Sequence, residues 1–75
     1  DVNVTKFQSI INLVLSHNFI SIIKSSYFEL CLNLDELNLS FNLIETIEEN
    51  SFTKNVFLTL LFLNNNRLKI FSRNQ

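Results

Sequence analysis

Few side chains in this 75-residue chain could do covalent or metal chemistry, and their number limits what they can do. His17 is the single histidine and Cys31 the single cysteine. One of each cannot build a histidine- or cysteine-rich metal site, nor an internal disulfide framework. No Ser–His–Asp arrangement is signalled by the spacing. The chain has no glycine, so it lacks the phosphate-cradling loops that depend on one. Asp35, Glu36, Glu45, Glu48 and Glu49 gather negative charge mid-chain. A catalytic carboxylate pair needs opposed environments in one cleft, whereas adjacent Asp35 and Glu36 on a strand point to opposite faces. The expectation is a protein with no catalytic residues, no cofactor and no metal. One modification chemistry is written in the sequence: Asn3-Val4-Thr5 and Asn38-Leu39-Ser40 both fit the acceptor pattern for Asn-linked glycan.

Composition limits the remaining functions. An apolar share of 47% against 17% charged residues is core-rich rather than disordered. A net charge of -1 gives no general pull toward nucleic acid or anionic lipid. The longest apolar run, from Phe57 to Leu63, contains Thr59 and is far too short to span a bilayer. No nucleic-acid partner and no membrane contact by this segment are therefore expected. The chain begins at Asp1, contains no Met, and has no basic-then-apolar leader pattern, which favours a fragment of a longer polypeptide.

The elements that must position any site are set by a repeat. The frame L-x-x-L-x-L-x-x-N-x-L-x-x-L recurs three times at a spacing of 24 residues, marked by Asn18, Asn42 and Asn66. The first copy reads Ile10, Leu13, Leu15, Asn18, Ile20, Ile23; the second Leu34, Leu37, Leu39, Asn42, Ile44, Ile47. The third reads Leu58, Leu61, Leu63, Asn66, Leu68, Phe71, and Phe28 and Phe52 extend the frame. Self-similarity at such a period marks a stack of supersecondary units. Each L-x-L gives the period-2 alternation of a short strand, predicting strands over Ile11–Leu15, Asp35–Leu39 and Thr59–Leu63. The Asn that follows each strand can bond backbone groups where the chain turns, so successive copies should form a ladder. Cys31 falls at a frame position that is usually apolar and reads as a small core residue. A single helix over residues 7–34 is a poorer reading, because Ile10, Ile11, Leu13, Val14 and Leu15 point almost all round.

These framed residues resemble the leucine-rich repeat family, and within it the 24-residue "typical" class with a Phe five residues after the last anchor (Ile23 to Phe28, Ile47 to Phe52). The resemblance covers Ile10 to Phe71, with Val4 and Phe7 fitting the end of a preceding repeat. Two departures stand out: the later anchor is Cys31 in one copy and polar Asn55 in the next, with Leu32 and Val56 as possible substitutes. The family implies an α/β repeat solenoid with short parallel β-strands on a concave face and irregular or short helical convex segments. It divides the chain into residues 1–9 (tail of a preceding repeat), 10–33, 34–57 and an incomplete 58–75. Such a stack would meet flanking repeats in a longer chain, and its open ends would leave a free 75-mer marginal.

By repeat position, the resemblance places partner contacts on the outward strand residues and the turns after them. These are Val14, Ser16 and His17, then Glu36, Asn38, Ser40 and Phe41, then Leu60, Phe62 and Asn64. Phe41, Leu60 and Phe62 are the sharpest candidates, as contiguous exposed apolar groups serve as binding anchors; a neighbouring repeat, a loop or a glycan could instead cover them. The expected function is non-catalytic binding of a protein ligand or co-receptor by an extracellular or cell-surface receptor or adhesion protein. Toll-like receptors are members of the kind implied. A cytoplasmic scaffold and a set of purely structural spacer repeats are the competing readings.

Overall fold

A computed structural model describes residues 4–69 of the chain. A one-turn helix, α1 (Val4–Gln8), leads into five short strands: β1 (Asn12–Val14), β2 (Ile22–Ile23), β3 (Glu36–Asn38), β4 (Thr46–Ile47) and β5 (Leu60–Phe62). The strands form two parallel sheets, one ordered β1-β3-β5 and the other β2-β4. In the larger sheet Leu13 pairs with Leu37 and Leu37 with Leu61, so the register offset equals the sequence period of 24. The three predicted strands are thus present, each one residue shorter at either end than the L-x-L frame suggested.

The second sheet corrects the reading of the return legs as irregular. Ile22 pairs with Thr46 and Ile23 with Ile47, again in parallel. All four residues are β-branched, the side chains that best fit a pleated surface. The chain crosses from one sheet to the other and back between β1 and β3 and again between β3 and β5, which is why neighbouring strands of a sheet can be parallel without a long helix between them.

The core lies between the two sheets. Ile23, Leu34, Leu37, Leu39 and Ile44 are completely buried, joined by Phe28 and Cys31. Four of the five completely buried side chains belong to the middle repeat, whereas Ile10, Leu13 and Leu15 on one side and Leu58, Leu61 and Leu63 on the other are only partly covered. The phenyl rings of Phe28 and Phe52 stack at 6.0 Å, carrying the period to the far side of the core.

Asparagine joins the repeats where the strands of the larger sheet end. Asn42 Oδ1 accepts from Ile20 N at 3.0 Å, while its Nδ2 donates to the carbonyls of Leu15, Leu39 and Ser40. Asn66 repeats the pattern one level on, with Ile44 N and the carbonyls of Leu39 and Leu63. Asn18 bonds only the Leu15 and Ser16 carbonyls of its own turn. The expected ladder therefore exists, and the rungs at Asn42 and Asn66 each clamp their own turn to the repeat before it.

Asn55 makes a second junction on the other leg, and Leu32 and Val56 do not substitute for it. Asn55 is buried and its Nδ2 donates to the Phe28 and Cys31 carbonyls at 2.9 and 3.0 Å. Leu32 and Val56 are exposed. The reason is steric as well as polar: Cys31 and Asn55 occupy equivalent inward positions of similar size, and the adjacent residues turn outward. Asn55 Oδ1 is buried without a hydrogen-bond partner.

Candidate functional site

The larger sheet gives one face to the core and the other to solvent. Alternation along β1, β3 and β5 buries Leu13, Leu37 and Leu61 to increasing depth toward the middle strand and turns their neighbours out. With a 24-residue register the outward residues form two rows across the strands: Asn12, Glu36, Leu60 and Val14, Asn38, Phe62. Val14 is 68% exposed, Leu60 46% and Phe62 40%. The centre of this face is a depression of about 220 Å³ lined by Asn12, Leu13, Val14, Glu36, Asn38 and Phe62.

Polar groups in the depression are arranged by local bonds. Asn12, with its amide nitrogen toward Glu36, donates to Glu36 Oε2 at 3.2 Å and to the Ile11 carbonyl at 3.3 Å. Asn38 Oδ1 accepts from both Ser40 N at 3.0 Å and Ser40 Oγ at 2.6 Å. Ser40 itself is buried, so its hydroxyl orients Asn38 rather than meeting a partner. Beneath this row the Thr59 hydroxyl donates to the Asp35 carboxylate, tying β5 to the entry of β3.

Beyond the strands a third row follows the same period. His17, Phe41 and Asn65 all adopt left-handed backbone, with φ of 59°, 56° and 60°. A turn of this shape ordinarily takes glycine, which the chain lacks; asparagine and histidine tolerate it better than phenylalanine does. Stacking offsets the cost at Phe41, whose ring lies parallel to His17 at 4.6 Å. Backbone bonds from His17 N to the Ser40 carbonyl and from Phe41 N to the Asn64 carbonyl hold the row in register. Asn64 is exposed and its Nδ2 donates to Asn65 Oδ1.

The structure thus brings Val14, Glu36, Asn38, Leu60 and Phe62 together on one sheet face, with His17 and Phe41 as a stacked pair along its edge. Ser16 is half-buried beside them. Asn12 and Leu13 also line the depression, with Asn12 beside Glu36 in the outward row. Asn3 and Phe71 lie outside the described residues.

Elsewhere the polar chemistry is structural. Cys31 is a free, buried thiol, and burial raises its pKa above the ordinary thiol value, which disfavours the reactive thiolate. Glu48 accepts from Ser25 N and Glu45 pairs with Lys69 at 3.1 Å on the open surface. Among the described residues no group of three or more His, Cys, Asp or Glu side chains could hold a metal ion, and no helix is long and apolar enough to cross a membrane.

Comparison with known families agrees with this stacked arrangement. The family described as Leucine rich repeat matches residues 8–68, from the end of α1 to just past the last rung of the Asn ladder. The chain belongs to the leucine-rich repeat family. Comparison with curated proteins gives no match. Leucine-rich repeat domains generally mediate protein–protein interaction and are typically non-catalytic. In this leucine-rich repeat chain, the outward rows of the larger sheet set exposed apolar groups and polar groups side by side.

Proposed function

We propose that this chain is a protein-binding section of an extracellular or cell-surface receptor or adhesion protein, built as a solenoid of typical 24-residue leucine-rich repeats. The observation that carries the binding role is the exposure of Leu60, Phe62 and Val14 on a sheet whose opposite face is turned to the core. Exposed apolar side chains in one patch favour a partner over solvent. Because the backbone behind them is fixed by two sheets and an Asn ladder, a partner would bind with little ordering cost. The register of 24 and the Phe28–Phe52 stack favour the typical class, and the two glycan acceptor patterns favour a secretory route.

The test uses the natural polypeptide carrying this segment, isolated with and without enzymatic removal of Asn-linked glycan, and its double variant Phe41→Ser, Phe62→Ser. Both rings are exposed, so secondary structure should persist, and the unfolding midpoint should fall only by the loss of the His17–Phe41 stack. Loss of partner capture in the variant, with mass lost on glycan removal, is the expected result. Unchanged capture would make these spacer repeats, and an unglycosylated cytoplasmic protein would make the chain a scaffold.

A further inference from the structure

The depression on the sheet face has a sign. Across the three strands and the turns that follow them, residues 11–18, 35–42 and 59–66 contain Asp35 and Glu36 but no lysine or arginine. Asp35 is engaged by the Thr59 hydroxyl. Glu36 lies in the depression itself, half-buried, and no cation stands within ion-pairing reach of it among the described residues. With the Asn12 amide nitrogen turned toward it, Glu36 accepts that hydrogen bond on Oε2. A carboxylate held by an amide on one oxygen, beside an exposed aromatic ring and an aliphatic wall, is a receptor for a cation on a long apolar stem.

We infer that the depression formed by Asn12, Glu36, Asn38, Val14 and Phe62 accepts an arginine side chain of the protein partner, with the guanidinium on Glu36 and its plane or stem against Phe62. This deepens the binding role proposed above and rests on it. Size agrees: about 220 Å³ is less than the roughly 300–1,000 Å³ of pockets that enclose whole small molecules, and suits one side chain. Arginine fits better than lysine because its planar fork reaches a carboxylate while stacking on an aromatic face. Asn38 contributes shape more than charge recognition, since Ser40 occupies its Oδ1 twice. A glycan on Asn38 would fill the same depression, so glycan at this position and arginine binding exclude each other.

The probe is a five-residue peptide, acetyl-Ser-Ser-Arg-Ser-Ser-amide, titrated into the isotope-labelled, unglycosylated natural polypeptide carrying this segment and followed by amide NMR shifts. The controls carry citrulline or lysine in place of arginine. Shifts confined to residues 12–14, 36–38 and 60–62, weakened about tenfold or more by Glu36→Gln, are expected. Phe62→Leu should weaken binding about threefold while keeping the apolar wall. The inference is overturned if the citrulline peptide binds as well as the arginine peptide, if lysine binds as tightly, or if Glu36→Gln leaves affinity unchanged. Dispersed amide spectra of each variant confirm that the chain is folded during the comparison. The binding role fails separately: if the arginine peptide does not bind but the Phe41→Ser, Phe62→Ser protein still loses its partner, the face binds protein by other chemistry.

Discussion

Asn18, Asn42 and Asn66 are the same residue at the same place in the sequence pattern, yet their energetic weight differs because of what lies behind each. Asn42 is buried and makes four bonds, two of them to the preceding repeat. Truncation to alanine would leave Ile20 N without its side-chain acceptor and the Leu15 carbonyl with one partner fewer, a cost of about 2–4 kcal/mol. Asn18 is exposed and bonds only within its own turn, so Asn18→Ala should cost less than about 1 kcal/mol. Urea unfolding of the two variants reads the contrast directly, and equal midpoints would mean the ladder does not join the repeats. The left-handed row invites the same attention to context. Phe41 holds a backbone shape that suits it poorly because the His17 ring and the Asn64 carbonyl hold it there.

The two kinds of junction that asparagine makes between legs are not equivalent. Where Asn42 satisfies an N–H as well as carbonyls, Asn55 donates to carbonyls that already accept from the backbone, Phe28 from Cys31 N and Cys31 from Leu34 N. Its own Oδ1 is buried and unpaired, which costs about 1–3 kcal/mol. Asn55→Leu removes that orphan while keeping the same branched four-atom outline, so it should be near neutral, within about 1 kcal/mol, in the same urea assay. Asn42→Leu has no such compensation. A strongly destabilised Asn55→Leu protein would mean that a bound water or a backbone shift satisfies the oxygen. This position also marks where the sequence stopped being legible. The strands and register of the larger sheet followed from the L-x-L frame, because the period of the pattern is the offset of the pairing. The second sheet did not, since only Ile23 and Ile47 recur there among otherwise unlike residues. Asn55 read as a defect in an apolar frame, and the apolar neighbours Leu32 and Val56 drew the assignment away from it. The outward rows were legible from repeat position, but the burial of Ser40 and the bond between Asn12 and Glu36 depend on side-chain directions that no pattern encodes.

At the scale of the whole molecule, stability in a stack is a sum of repeat terms and junction terms, and in the larger sheet only β3 is paired on both sides among the described residues. The burial gradient follows from this: Leu37 is completely buried, whereas Leu13 and Leu61, one repeat to either side, are partly covered. The same substitution at these three equivalent positions should therefore have unequal effects. Leu37→Ala removes a side chain packed from both neighbouring strands and should cost about 3–5 kcal/mol, enough to unfold a small domain with little in reserve. Leu13→Ala and Leu61→Ala leave smaller cavities open to solvent and should cost about 1–3 kcal/mol each. Equilibrium unfolding of the three variants tests the gradient, and joining a further repeat onto either end should raise the cost of the adjacent substitution toward that at Leu37. Equal costs at all three positions, before any repeat is added, would mean that the end repeats are covered as fully as the middle one. The binding face would then sit on a closed domain rather than on one section of a continuing surface.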